Sequence, residues 1–310
     1  MKMKRLAIIL LGATLGLASS CSDRQQAGAG QVHPDSTTVN VAVLPTMDCL
    51  PIILASEHGM FQRAGVQVEL AGFNAQMDID TALMGGSVQM AVSDLVRVER
   101  LKREGLKLDY FTATDARWQL LTNHSARIKQ LHQLYDKMMA MTRYSATDML
   151  GDLAVDSAKL DAERVFRIQV NDLNVRLQML QMGIMDAMLL PEPQATAARN
   201  MNAFVLLDAS EKFDLKLGAV VMREGALTAH QKEAFTKGYN EACDSINANG
   251  LHAYRDLLAQ HMGVSRHTLD SLPPSPIFEH VAAPRERDVK RAAEWLTKKK
   301  EKANVEKQNI

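Results

Sequence analysis

The sequence predicts an α/β protein of two hinged lobes, each built on a central mixed sheet, with a cleft between the lobes. Runs that favour strands and runs that favour helices alternate from residue 39 onward, which is typical of sheets with helical crossovers. The strand-like run 118–122 then follows the run 106–112 with no helix between them. Because a chain changes sheets most easily at such a point, residues 114–117 are predicted to cross into a second lobe.

Four strands and the helices between them predict the first lobe. The β-branched run 39–44, closed by Pro45, gives the first strand, and the runs 66–70, 88–92 and 106–112 give the others. Helices are predicted over 50–63, over a segment ending at Gly85 and Gly86, and over the basic stretch 95–104. The order strand, helix, strand indicates parallel pairing.

A second α/β unit follows the crossing. Strands are predicted at 118–122, 137–142, 165–170 and 185–190, with helices at 147–158 and 173–182 between them. The apolar run 217–222 is predicted to return the chain to the first lobe, and helical patterns follow at 228–247, 251–262 and 285–302. The predicted boundaries are therefore 39–115 together with 217–310 for lobe I, and 116–216 for lobe II.

The N-terminus has the pattern of an export signal. Lys2, Lys4 and Arg5 precede the apolar run 6–17, and small residues then lead to Cys21. This arrangement resembles a lipoprotein lipobox, which implies a signal peptide over 1–20, acylation of Cys21 and an exported protein anchored to a bacterial membrane. The alternative, a transmembrane anchor, would need about 20 apolar residues. Residues 21–38 are polar and are predicted to form a flexible tether.

Composition excludes several other classes. The chain has 36 basic and 36 acidic residues, so no global field favours nucleic acid. Neither a phosphate loop, a dinucleotide fingerprint nor a histidine pair at metalloprotease spacing occurs, so no cofactor, no metal and no catalytic residue is expected. Cys49 and Cys243 could form a disulfide in an oxidising compartment or could be buried thiols.

Four stretches carry a family resemblance. They are 53–70, with Glu57, His58 and Gly59; 82–92; 137–148; and 186–198, with its Glu-Pro pair and alanine-rich helix. Together they resemble the nitrate, sulfonate and thiamine-precursor group of ABC-transporter substrate-binding proteins. The resemblance covers roughly 39–224 and implies a type II periplasmic binding fold, a small solute, a permease partner and a monomer.

Two other functions remain open. The resemblance extends to enzymes of this fold, including pyrimidine synthases of thiamine biosynthesis and dehydratases of menaquinone biosynthesis. The export signal argues against both enzymes, and the synthases carry a clustered cysteine motif that this sequence lacks. A lipoprotein that binds a partner protein would need an exposed apolar patch. We expect a binding protein that is not an enzyme.

The candidate ligand residues lie in loops at the carboxyl ends of the predicted strands, where open α/β sheets bind ligands. They are Thr46, Asp48, Asn74, Ser93, Asp94, Tyr144, Ser145, Thr147 and Glu192. An alternative for Ser145 is a helix capping box with Asp148.

Charge in these loops predicts the cargo. Four acids, Asp48, Asp94, Asp148 and Glu192, outnumber one cation, Arg143. An inorganic anion or alkylsulfonate would meet more repulsion than attraction, so a neutral or amine-bearing heterocycle, such as a thiamine-pyrimidine precursor, is favoured. Tyr144, Phe73 and Trp118 are candidates for stacking on such a ring, or for core packing.

Overall fold

The structure is a computed structural model that describes residues 38–274 and 277–308, with side chains up to residue 302. The predicted signal peptide (1–20), the predicted acylation site Cys21 and the tether up to residue 37 lie outside the described residues.

Ten strands form two sheets. They are β1 (Thr38–Val43), β2 (Gln67–Gly72), β3 (Met90–Asp94), β4 (Leu108–Ala113), β5 (Trp118–Thr122), β6 (Lys137–Met141), β7 (Val165–Gln169), β8 (Ala187–Pro191), β9 (Phe204–Asp208) and β10 (Gly218–Arg223).

Twelve α-helices cover the sheets of the described chain. They are α1 (Leu50–Glu57), α2 (Met60–Ala64), α3 (Gln76–Gly85), α4 (Leu95–Arg103), α5 (Ala146–Ser157), α6 (Leu173–Gln181), α7 (Gln194–Asn200), α8 (Ala209–Lys212), α9 (Ala229–Asn249), α10 (Arg255–His261), α11 (Arg266–Asp270) and α12 (Glu286–Gln308). Short 3₁₀ turns lie at Met47–Cys49, Leu131–Leu134, Ala162–Arg164 and Leu251–Tyr254. Within residues 38–274 and 277–308, no helix has the length and apolar character needed to cross a bilayer.

Both sheets have the same mixed topology. The first has the order β2-β1-β3-β10-β4, and the second has the order β7-β6-β8-β5-β9. In the first, β1 pairs in parallel with β2 and β3, whereas β10 is antiparallel to β3 and β4. In the second, β6 pairs in parallel with β7 and β8, and β5 is antiparallel to β8 and β9. The predicted α/β fold with two mixed sheets is confirmed.

We call the first sheet with α1–α4 and α9 lobe I, and the second sheet with α5–α8 lobe II. The strand β10 belongs to the first sheet, so the chain crosses between the sheets after β4 and again before β10. The residue boundaries given for the lobes from the sequence stay a prediction.

One helix prediction was wrong in detail, and one strand of the second sheet was not predicted. The helix predicted over 50–63 is broken, because Gly59 has a φ of 65° and separates α1 from α2. The strand β9 was not predicted, and it forms the edge of the second sheet by pairing with β5. Its side chains are exposed or half-buried, so it lacks the apolar run that marked the other strands.

Helix α9 closes one side of lobe I against α1 and α2. The rings of Phe61 on α2 and Phe235 on α9 stack with centroids 4.3 Å apart. Gly238 on α9 faces Phe61 so closely that an added Cβ would lie 2.6 Å from Phe61 Cδ1 and 3.1 Å from its backbone nitrogen. The absence of a side chain at Gly238 therefore sets the distance between the two helices.

The last helix connects the two lobes. Helix α12 packs on α4 of lobe I. Its Trp295 Nε1 donates to Asp152 Oδ2 at 3.1 Å, and its Lys299 Nζ donates to Asp148 Oδ1 at 3.1 Å and to Asp152 Oδ2 at 2.8 Å. Both acids are on α5 of lobe II. The predicted C-terminal helix thus holds the start of α5 against lobe I.

We predict that Gly238→Ala lowers the free energy of unfolding by about 1–3 kcal/mol, because the new methyl group overpacks the contact with the Phe61 backbone. The matched control is Gly85→Ala, at a helical glycine where an added Cβ meets nothing within 4 Å. This control should leave stability unchanged or raise it by up to about 1 kcal/mol. Urea unfolding followed by tryptophan fluorescence measures both, and equal effects would contradict the packing argument.

Candidate functional site

A small cavity lies between the lobes at the carboxyl ends of the parallel strands. Its volume is about 30 Å³, which is room for about two water molecules. The lining comes from both lobes: Leu44, Thr46, Asp48, Gln76, Val92, Ser93 and Asp94 from lobe I and the loops that follow its strands, and Trp118, Thr147, Asn171, Leu173, Arg176 and Pro191 from lobe II. Five of the nine residues predicted from sequence are among them.

The cleft is closed by hydrogen bonds between the lobes. Met47 N donates to Glu192 O at 2.9 Å, and Leu173 N donates to Asn74 O at 3.2 Å. Gln194 Nε2 donates to Pro45 O at 2.8 Å. These bonds come from loops at strand ends, so closure depends on the same loops that line the cavity.

The loop after β1 places Thr46 and Asp48 at the cavity. Thr114 Oγ1 donates to Asp48 Oδ2 at 3.1 Å. Burial raises the pKa of the Asp48 carboxyl, while hydrogen bonds from Thr46 and Thr114 oppose that rise. The Asp48 carboxyl is thus a buried acceptor with a partner in its own lobe.

The end of β3 places Ser93 and Asp94 at the cavity, both buried. Asp94 caps α4: its Oδ1 accepts from Arg97 N at 3.0 Å. The same Oδ1 accepts from Ala146 N of lobe II at 3.0 Å, and Oδ2 has no hydrogen-bond partner. Burial raises the pKa of Asp94 to about 6, although the charge of Arg97 and the two backbone hydrogen bonds lower it.

The start of α5 places Thr147 at the cavity. Ser145 is the N-cap, and its Oγ accepts from Thr147 N at 3.1 Å and donates to Thr142 O at 2.7 Å. The capping box proposed for Ser145 and Asp148 does not form, because Asp148 Oδ2 accepts from Tyr144 N at 2.9 Å instead. Ser145 is buried without lining the cavity.

Three predicted ligand residues lie away from the cavity. Asn74 is exposed and contributes its backbone carbonyl to the contact with Leu173. Tyr144, with a φ of 53°, lines a surface groove beside α12. Glu192 lines a neighbouring cavity of about 220 Å³, and its carboxylate pairs with Arg199 at 2.8 Å.

Sequence reasoning missed Arg176, the cation at the cavity. Its side chain is 3% exposed. Nε donates to Val170 O at 2.6 Å, Nη1 donates to Leu189 O at 3.4 Å, and Nη2 donates to Thr142 Oγ1. No carboxylate among the described residues forms an ion pair with it. Burial and the charge of Arg97 lower its pKa to about 10, so the guanidinium stays protonated at neutral pH.

A signal for Arg176 was present in the sequence. On α6, Leu173, Leu177 and Leu180 recur at spacings of four and three, and all are buried. Position 176 lies on that same face, where a charged residue is unexpected. By contrast Arg143, the cation counted from the loop sequences, is exposed and does not line the cavity.

The charge balance behind the cargo prediction therefore changes. Asp148 is paired with Lys299, and Glu192 is paired with Arg199. The cavity itself contains two acids, Asp48 and Asp94, and one cation, Arg176. The excess of acids at the cavity is therefore smaller than the loop sequences predict, and Arg176 offers a buried cation to an anionic group.

The two cysteines of the described chain are buried free thiols, and they do not form a disulfide. Burial raises the pKa of Cys243 to about 12, and burial together with the charge of Asp48 raises the pKa of Cys49 further. Both thiols stay protonated at neutral pH. Across residues 38–274 and 277–302, no three His, Cys, Asp or Glu side chains are arranged to hold a metal ion.

Comparison with known proteins agrees with this architecture. The sequence profile of the NMT1-like family matches residues 32–262. A sequence search of curated proteins found no match. The match to the NMT1-like family confirms the resemblance to the nitrate, sulfonate and thiamine-precursor group of binding proteins.

Solved structures share the fold. The periplasmic aliphatic sulphonate-binding protein SsuA from Escherichia coli is 17% identical, with a TM-score of 0.70 over 86% of this chain and 88% of that chain. The ligand-binding component of an ABC-type import system from Staphylococcus aureus is 15% identical, with a TM-score of 0.70 over 86% and 92%. The periplasmic nitrate-binding protein NrtA from Synechocystis PCC 6803 is 17% identical, with a TM-score of 0.67 over 76% and 69%.

We predict that Asp94 makes stability depend on pH. Its folded pKa of about 6 lies above the ~3.9 of an unfolded aspartate, so the folded state holds a proton that the unfolded state has lost. Between about pH 4 and pH 6 the free energy of unfolding therefore falls as pH rises, by up to about 1.4 kcal/mol per unit from this group.

Asp94→Asn should remove that contribution, so the stability of the variant relative to the wild type should rise with pH across this window. Melting temperatures at half-unit steps of pH measure it, with the exposed Asp78→Asn as control. A constant difference between Asp94→Asn and the wild type across the window would contradict the assignment.

Proposed function

The chain belongs to the NMT1-like family, and we propose on that premise that it is an extracytoplasmic solute-binding protein serving an ABC-type permease. The observation that carries this proposal is the interlobe cavity, whose polar lining comes from both lobes. Ligands of two-lobed α/β proteins bind at such strand ends.

Capture follows from the interlobe contacts. A solute in the cavity touches Ser93 and Asp94 of lobe I and Thr147 and Arg176 of lobe II only when the lobes are together. Because the closed form alone makes both sets of contacts, solute shifts the population toward it. The permease then distinguishes the closed, loaded form from the open one.

A binding role is favoured over catalysis by the chemistry of the site. Cys49, which follows the cavity residue Asp48 in the chain, is fully buried and protonated, so it is not poised as a nucleophile. The similar structures described above are named as binding proteins or as a ligand-binding component, which supports the same role here.

The cargo that we propose is a small nitrogenous solute, with a thiamine-pyrimidine precursor as one candidate. Asp48 and Asp94 supply acceptors for N–H groups, and Trp118 contributes to the cavity wall. An aromatic ring beside buried acceptors suits a flat heterocycle with amino groups.

The lipid anchor is part of the same proposal. Acylation of Cys21 would hold the protein at the membrane surface, and the tether 21–38 would let it reach a permease. Tethering raises the local concentration of the loaded protein near its partner.

We expect one class of solute to raise the melting temperature of the full-length protein in a saturable way. The panel contains thiamine precursors, sulfonates, nitrate, amino acids and polyamines, and differential scanning fluorimetry is the readout. Asp48→Asn should weaken the response, because the carboxylate at the cavity loses charge. A folded protein whose melting temperature responds to none of these solutes would contradict the proposed function.

Cys21→Ser should release the protein from the membrane fraction, because the acyl chains attach at this residue. Incorporation of labelled palmitate and fractionation of the bacterial membranes measure the effect, and Ser22→Ala is the matched control. Membrane association of Cys21→Ser equal to that of the wild type would show that Cys21 is not the anchor.

A further inference from the structure

Asp94 is a cavity residue whose carboxylate is only partly paired. The residue is 1% exposed and lines the cavity, while Oδ2 has no hydrogen-bond partner. Backbone N–H groups from both lobes converge on the other oxygen, Oδ1. Since an unpaired buried carboxylate oxygen is costly, Oδ2 is matched to a donor that arrives with the solute.

On the lobe II side of the cavity, Arg176 has a positive charge without an acidic partner among the described residues. It is buried and forms no ion pair within the described part of the chain. Its guanidinium has five N–H groups, and three neutral acceptors, Val170 O, Leu189 O and Thr142 Oγ1, each take one of them. The remaining donors and the uncompensated positive charge favour an anionic group next to it.

The neighbouring charges leave the two groups free for a ligand. Arg97, the cation closest in sequence to Asp94, is committed to Asp80 through its side chain. Asp172, which attracts Arg176 electrostatically, is used as the N-cap of α6. Neither residue appears in the cavity lining. Solute atoms are therefore the natural partners of Asp94 Oδ2 and of Arg176.

We infer that the solute is a small zwitterion whose protonated amine binds Asp94 and whose anionic group binds Arg176. This inference rests on the proposed function and narrows its cargo. The two contacts lie in different lobes, so a molecule with both charges links the lobes, whereas a molecule with one charge leaves either a free acid or a free cation buried. The volume of about 30 Å³ favours a compact molecule.

The experiment uses the full-length protein and a series with constant chemistry and increasing charge separation: glycine, β-alanine and γ-aminobutyrate. The single-charge analogues n-propylamine and propionate, and the neutral 4-amino-5-hydroxymethyl-2-methylpyrimidine, complete the set. Affinity is measured by isothermal titration calorimetry. At least one amino acid should bind at least about tenfold more tightly than either single-charge analogue, a difference that one charge-assisted contact supplies.

Variants of Asp94 and Arg176 test which residue binds the amine of the solute and which binds its anionic group. Arg176→Gln should lower the affinity for the amino acid at least about tenfold and leave the affinity for n-propylamine unchanged. Asp94→Asn should lower the affinity for the amino acid by a similar factor and leave the affinity for propionate unchanged. Exposed Arg143→Gln and Asp78→Asn are the matched controls. Arg176→Lys keeps the charge, so it should bind with intermediate affinity; it also serves as the test if Arg176→Gln does not fold.

The outcomes separate this inference from the function on which it rests. A solute without an anionic group, such as the pyrimidine or n-propylamine, binding most tightly and independently of Arg176 would overturn the zwitterion and keep the solute-binding role. A sulfonate or nitrate that binds most tightly and independently of Asp94 would also overturn the zwitterion and keep that role. If neither the amino acids nor any other class of solute in the panel binds, both the zwitterion inference and the proposed solute-binding function are wrong.

Discussion

A single carboxylate oxygen joins the two halves of the site. Asp94 Oδ1 accepts from the N-terminal turn of α4 in lobe I and from Ala146 at the start of α5 in lobe II. Helix N-termini carry free amides and partial positive charge, so an acid at their junction is well placed electrostatically. Because this bond needs both lobes in contact, the position of the start of α5 beside the end of β3 depends on it.

Closure is distributed over the edge of the cleft. Backbone bonds from Met47 to Glu192 and from Leu173 to Asn74 lie in the loops after the strands, and α12 adds Lys299 against Asp148 and Asp152. The helix also explains why some sequence candidates lie elsewhere. Asp148, paired with Lys299, holds the backbone of Tyr144 toward the α12 groove and away from the cavity.

Local pattern was sufficient for most of the fold, because strands and helices leave a period in the sequence. The strand over 118–122 and the return strand near 217–222 lie where the sequence places them. The break at Gly59 was harder, since an isolated glycine in a helical pattern is often tolerated. For the site, the expectation that ligand residues lie in loops at the carboxyl ends of strands led to Asp94 and Thr147. That expectation did not lead to Arg176, because it considers loops and Arg176 reaches the cavity from a helix face.

The distance between the lobes is the most direct test of solute capture in the interlobe cavity. Spin labels at Met84→Cys in lobe I and Met182→Cys in lobe II, both exposed positions, give the distance between the lobes by double electron–electron resonance. Cys49 and Cys243 are buried and therefore shielded from the labelling reagent. We expect open and closed populations in the free protein, and a single short distance once a solute that raises the melting temperature saturates it. A distance distribution that saturating solute leaves unchanged would contradict the interlobe cavity as the binding site.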